Sequence, residues 1–201
     1  MSNAPVEFFF DFNSPYSYIA AHLIDDLAAK HGRFVDWKPF LLGAVFEVTG
    51  SKPLPHVPMK GEYATRDFAR SARFHNVDFN PPAKHPFSPT AASRAVYWAK
   101  SQDPADASGM GLALFQAVMR DAQDISSPDA VADIAAGAGF DRDAVAAGLQ
   151  DPAVKAKVKE ETDDAIARNI FGAPFIVVDG EAFWGVDRLD MVERWLETGG
   201  W

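Results

Sequence analysis

The chain contains no cysteine. A disulfide framework, a cysteine-ligated zinc site, a cysteine nucleophile and a disulfide oxidoreductase are therefore excluded together. Long apolar runs are also missing: no stretch approaches the roughly 20 residues that a bilayer-spanning helix needs. Positive charge is scarce, with Lys+Arg 19 against Asp+Glu 28 and a formal net charge of -9. That balance argues against nucleic acid or an anionic membrane as the main partner, because such surfaces attract Lys and Arg. The opening Met1-Ser2-Asn3-Ala4-Pro5 shows no basic segment leading into an apolar run, so no signal peptide is read and a cytoplasmic location is the expectation. His22, His31, His56, His75 and His85 show no ligand spacing such as His-Glu-x-x-His, and no metal is expected.

What remains is ordinary globular material, 48% hydrophobic and 23% charged over 201 residues. It is enough for one domain, or for one domain carrying a large insertion. Val6 to Asp11 (VEFFFD) reads as a buried strand, Tyr16 to His31 as a helix stopped by Gly32, and Phe34 to Phe40 as a second strand. If the strands are parallel, this opening is a βαβ unit. Leu41 to Leu54 reads as a surface loop, Tyr63 to Phe74 as a helix, and the proline-rich stretch Asn80 to Pro89 as irregular. From Thr90 onward come amphipathic, alanine-rich helices: Ala91 to Ser101, Met110 to Ala122, Ser127 or Pro128 to Ala138, Asp141 to Gln150, and Pro152 to Ile170. Asp141 is a plausible N-cap and Pro152 a first-turn proline. The acidic run Glu160, Glu161, Asp163 and Asp164 reads as a solvated helix face. The end returns to strands, Pro174 to Asp179 and Glu181 to Trp184 about an Asp179-Gly180 turn, and closes on a helix to Leu196. There are no repeats.

A βαβ unit followed later by ββα is thioredoxin-like topology. The fold class is thus α/β, a thioredoxin-like domain formed by residues 1–40 and 171–201, with about 41–170 as a connecting loop and an inserted helical domain. In that topology chemistry sits at the start of the first helix, where free amides favour an anion such as a thiolate. The four positions that would carry Cys-x-x-Cys read Ser14-Pro15-Tyr16-Ser17: the scaffold is kept and both sulfurs are missing. Ser14 by itself reads equally as a helix cap and Pro15 as a first-turn proline. Three further segments point to a site. Ala173-Pro174 suits a cis-proline that exposes the preceding backbone to an extended peptide, or an ordinary edge-strand proline. Trp184-Gly185-Val186-Asp187-Arg188 turns into the last helix, with Asp187 suited to an ammonium group or to capping. Thr49-Gly50-Ser51-Lys52-Pro53 offers polar atoms to a peptide, or is a plain loop.

Phe10 to Tyr18 (FDFNSPYSY), Phe171-Gly172-Ala173-Pro174 and Trp184 to Arg188 (WGVDR) together resemble the 2-hydroxychromene-2-carboxylate isomerases, relatives of kappa-class glutathione transferases and, more distantly, of DsbA-type oxidoreductases. The resemblance spans nearly the whole chain. It implies a glutathione cofactor. Ser14 would contact the glutathione sulfur, Ala173 and Pro174 its backbone, and Trp184, Gly185, Val186 and Asp187 its γ-glutamyl end. Ser51 stands where relatives carry asparagine in a Gly-Asn-Lys-Pro loop, and Val186 where kappa enzymes carry serine. Phe12, Phe46 and Trp184, with Tyr16, would wall a site for a small aromatic carboxylate substrate bordered by Thr90, although each aromatic taken singly reads as core. Pro86-Phe87-Ser88-Pro89-Thr90 departs from the Phe-Pro-x-Asn-Thr of relatives. The implied activity is glutathione-dependent cis-trans isomerisation to a trans-benzalpyruvate. The alternatives are a kappa-like transferase or peroxidase and a non-catalytic thioredoxin-like binding module. Members of the group are often dimers, so a homodimer is an expectation of the resemblance.

Overall fold

Strand β1 (Val6–Phe10) alternates its side chains across a sheet that is buried on both faces. The computed structural model describes residues 4–201, so the reading of Met1 to Asn3 as free of a signal lies outside the described residues. Val6, Phe8 and Phe10 face one way, where Phe8 lies 5.1 Å edge-on to Trp37 of β2 (Val35–Pro39). Phe9 faces the other way with Phe40, Phe175 and Val177. Burying each such aromatic side chain is worth roughly 2–3 kcal/mol. β1 pairs in parallel with β2 and antiparallel with β3 (Phe175–Val178), which pairs antiparallel with β4 (Glu181–Trp184). The sheet order β2-β1-β3-β4 is the thioredoxin-like arrangement expected from βαβ and ββα. Asp179 and Gly180 turn the β3-β4 hairpin with φ of 51° and 89°, the positive pair that an Asp-Gly turn supplies.

The first helical stretch divides into α1 (Pro15–Ala21) and α2 (Ile24–Lys30), where one helix was expected. Leu41 to Leu54, read as a loop, contains helix α3 (Leu42–Thr49). Its N-cap, Leu41, has no capping side chain; the Leu42 amide instead donates to the Asp11 carboxylate at 2.8 Å, a cap supplied from 31 residues away. After α4 (Lys60–Phe74) come α5 (Thr90–Gln102), α6 (Asp106–Met119), α7 (Pro128–Gly137), α8 (Arg142–Gly148) and α9 (Pro152–Ala167). Asp141 caps α8 and Pro152 opens α9, as their sequence positions indicate. The final helix is α10 (Leu189–Thr198). The helices do not form a separate core: Phe115 of α6 packs 5.4 Å from Phe10 of β1 and 4.6 Å from Phe12.

The acidic face of α9 is not wholly solvated. Glu161 is buried and meets Lys38 of β2 at 3.1 Å, while Lys38 lies 3.5 Å from Glu7 of β1. Arg168 closes this network on Glu7 at 2.6 Å. Ion pairs thus tie α9 and the residue after it to β1 and β2.

Candidate active site

The turn from β1 into α1 is built on Asp11. Its carboxylate is buried and accepts the Asn13 amide at 2.7 Å and the Leu42 amide at 2.8 Å, so one side chain fixes both the turn and the start of α3. Burial pushes the Asp11 carboxyl above its ordinary range, against the opposing pull of those amides. Asn13 next ties the turn to a distant loop. Its side chain donates to the Phe87 carbonyl and accepts the Phe87 amide, each at 3.0 Å, and its own carbonyl lies 2.8 Å from His85 Nε2.

Ser14 sits at the N-cap of α1 with φ -97° and ψ 109°. Its Oγ accepts the Ser17 amide at 3.1 Å and donates to the Ala173 carbonyl at 2.9 Å. The hydroxyl is therefore both a cap and a link to the strand on the other side of the site. Pro15 has no N–H and Ser17 is held by the cap, which leaves the Tyr16 amide as the first-turn donor open to a ligand. The Tyr16 hydroxyl donates to Asp67 of α4, which also binds Arg70.

The Ala173-Pro174 peptide is cis. The Pro174 carbonyl accepts the Gly185 amide at 3.0 Å, which places the Trp184-Gly185-Val186-Asp187 turn beside it. Gly185 has φ 108°, and a Cβ there would stand 2.4 Å from Asp187 Oδ1. Any side chain at 185 thus meets both a strained backbone and the Asp187 carboxylate. At Gly172 an added Cβ would stand 2.3 Å from the Trp184 indole nitrogen. The Trp184 ring itself is more than half exposed and packs edge-on to Phe171 at 5.0 Å. Asp187 is exposed and pairs with Arg188 at 3.0 Å; it does not cap the helix that follows.

These pieces surround one cleft of about 1550 Å3. Ser14, Phe46, Ser51, Thr90, Ala173, Pro174, Trp184, Gly185, Val186 and Asp187, all singled out from sequence, line it. Phe12 does not: in the turn after β1 it is wholly buried, its ring packed between those of Phe10 and Phe115. The structure adds residues the sequence reading passed over. Asn13 and His85 line the cleft, as do Lys52 and Lys60, two exposed cations with no acidic partner among the described residues. Lys60 opens α4, three residues before the helix start read from sequence, so its place at a helix N-terminus comes from the structure. His85 carried no sequence signal, because its contacts come from 72 residues away. A second depression of about 470 Å3 lies between α6 and α7, but its Arg120 is spent on Asp121 at 2.7 Å.

The cleft offers a hydroxyl and an amide at a helix start, a backbone edge at Ala173, two unpaired cations and two exposed carboxylates, Glu47 and Asp187. That donor set suits an extended peptide with a thiol, two carboxylates and an ammonium group. The chain is similar to the 2-hydroxychromene-2-carboxylate isomerase of Sphingobium xenophagum, 29% identical over 193 residues, covering 95% of this chain and 97% of that protein. It is 26% identical over 204 residues to a glutathione S-transferase kappa 2 of Caenorhabditis elegans, covering 95% and 91%. Among solved structures, a 2-hydroxychromene-2-carboxylate isomerase superposes with a TM-score of 0.86 at 26% identity, over 96% of this chain and 95% of that one. The DSBA-like thioredoxin domain matches residues 5–197, and the chain belongs to that family.

Proposed function

We propose that this protein is a glutathione-dependent isomerase that converts a 2-hydroxychromene-2-carboxylate, or a close aromatic analogue, to the trans-benzalpyruvate. The observation that carries the proposal is Ser14: a hydroxyl stands at the thioredoxin-like thiol position, in a chain without cysteine, and lines the cleft. When bound, glutathione would supply a thiolate able to add reversibly to a conjugated double bond, whose carbons could then rotate about a single bond.

The chain's own residues prepare that chemistry. The Tyr16 amide and the Ser14 hydroxyl are the donors available to a sulfur anion at the start of α1. The Ser14 hydroxyl donates to the Ala173 carbonyl. A ligand peptide N–H on that carbonyl would share the oxygen with the hydroxyl, weaken its bond, and favour its turning to a sulfur anion. Backbone recognition at Ala173 and thiolate stabilisation at Ser14 are then coupled through one hydrogen bond. Lys52 and Lys60 take carboxylates, and Asp187 takes the ammonium end. Trp184 and Phe46 cover the aromatic part of the substrate. Ser14 is a donor here and not a nucleophile of the Ser-His-Asp type, as its own hydroxyl has no basic partner.

Similarity to kappa-class transferases favours one other reading, conjugation of glutathione to an electrophile. Incubation with substrate and substoichiometric glutathione separates them. Isomerisation turns over many times with the thiol recovered intact, whereas conjugation consumes it. An unchanged substrate spectrum in the presence of glutathione would refute the isomerase reading.

A further inference from the structure

We propose that His85 is the acid-base residue that opens the hemiketal ring of the substrate before isomerisation. The inference rests on the proposed isomerase function for the identity of the substrate, and on geometry for the residue. A 2-hydroxychromene-2-carboxylate carries a hydroxyl and the ring oxygen on the same carbon. It has no rotatable conjugated double bond until the ring opens. Opening breaks the O–H bond of the hydroxyl and the bond from C2 to the ring oxygen, forms C2=O, and places a proton on the ring oxygen. The proton removed is the proton returned, so one group that accepts and releases it suffices.

His85 lines the cleft, and it is the one histidine of the five that does. Its Nε2 lies 2.8 Å from the Asn13 carbonyl. A carbonyl only accepts, so Nε2 carries the hydrogen, and in the neutral ring Nδ1 keeps its lone pair. Nδ1 makes no hydrogen bond to another residue among the described residues. The ring is held edge-on to Phe87 at 5.9 Å, and Phe87 is clamped by two bonds to Asn13, the neighbour of Ser14. The base is thus rigidly tied to the turn that presents Ser14.

The other acidic or basic groups lining the cleft are less suited. Both oxygens of Asp11 are occupied by amides, Asp67 is held by Tyr16 and Arg70, and Asp187 by Arg188. Glu47 is a solvent-exposed carboxylate, and Lys52 and Lys60 are ammonium groups with no lone pair to accept a proton. A histidine accepts and releases a proton near pH 7.

Ring opening needs no glutathione, so it is measured without it. Exchange between the ring-closed substrate and the open cis phenol is followed by NMR with the unmodified protein, His85→Gln and His85→Ala. Glutamine keeps an N–H donor for the Asn13 carbonyl and removes the base. The unmodified protein is expected to accelerate exchange at least tenfold over buffer, and both variants to lose that acceleration. Added imidazole is expected to restore part of it to His85→Ala, which a merely structural role does not allow. Exchange as fast with His85→Gln as with the unmodified protein, or no acceleration by the unmodified protein, overturns the assignment. The trans product, measured separately with glutathione, reports on the isomerase reading: its absence removes that reading without altering the exchange result.

Discussion

Two helices of this protein begin in the same way. Ser14-Pro15 opens α1 and Ser127-Pro128 opens α7. Each serine accepts the amide three residues on, at 3.1 Å from Ser17 and 3.2 Å from Ala130, and each proline fills the first helical position. Local sequence and local geometry do not tell them apart. What differs is what the rest of the chain brings. Ser127 is exposed and its hydroxyl makes only the cap, whereas Ser14 is buried at 7% exposure and also donates to Ala173, 159 residues away. The cap is a property of the helix; the site is a property of the fold around one of the two caps.

Replacing both serines tests that distinction with the largest expected effect. Ser14→Ala should lower glutathione-dependent turnover at least tenfold, about 1.4 kcal/mol of transition-state stabilisation. Ser127→Ala should leave turnover within about twofold, while each variant loses about 1 kcal/mol of stability with its cap. Kinetics and thermal melts on the pair decide it. Equal turnover in the two variants would place Ser14 outside the chemistry.

Two glycines extend the comparison. Gly185 beside the site has φ 108°, and Gly139 after α7 has φ 97°. Alanine at either position forces a disfavoured backbone and should cost roughly 1–3 kcal/mol of stability. Only at 185 does the new Cβ meet a side chain, Asp187 Oδ1 at 2.4 Å, since nothing lies within 4 Å at Gly139. Glutathione affinity, read by calorimetry, should fall about tenfold in Gly185→Ala, about 1.4 kcal/mol. It should be unchanged in Gly139→Ala. Equal affinities would show that the Asp187 turn is not a ligand contact.

The smallest effect concerns pH. Neither serine titrates, so the stability curves of Ser14→Ala and Ser127→Ala should run parallel from pH 7 to pH 4. Part of the acid sensitivity should come from Glu7, where the Arg168 guanidinium holds the carboxyl below its ordinary value of 4.5. The unfolded chain therefore takes up that proton first as pH falls. The stability Glu7 contributes is present above about pH 4.5 and is lost as pH falls through the lower folded value. The pair is partly exposed, so Glu7→Gln should flatten the acid limb by less than about 1 kcal/mol, measured as urea midpoints. Identical acid limbs would assign the loss to another group.

The strands, the Asp179-Gly180 hairpin, the Asp141 cap and the first-turn Pro152 were legible because their signals are local: alternation, turn residues and residues suited to a helix start. Ser14, Ala173-Pro174 and the Trp184 to Asp187 turn were legible as three motifs in a fixed order, and the cleft brings them together. Helix α3 was not, because its Leu42 amide is capped from β1 by Asp11 and its own sequence holds Gly43, Val45, Val48 and Thr49, poor helix formers. No turn residue marks the break between α1 and α2, where His22 and Leu23 bond back to carbonyls three residues earlier. Phe12 was misplaced on the site wall, since its motif neighbours face the cleft while its own ring packs inward. The Asn13, Phe87 and His85 contacts join segments 72 to 74 residues apart, and nothing in either segment announces the other.

The central claim is that Ser14 donates a hydrogen bond to a bound glutathione thiolate. The most direct measurement is a pH titration of the ultraviolet absorbance of that thiolate on the unmodified protein and on Ser14→Ala. The predicted result is a bound thiol at least about one unit below the ~8.5 of a free thiol, returning most of the way in the variant. A bound thiol that ionises at the same pH in both proteins would contradict the account.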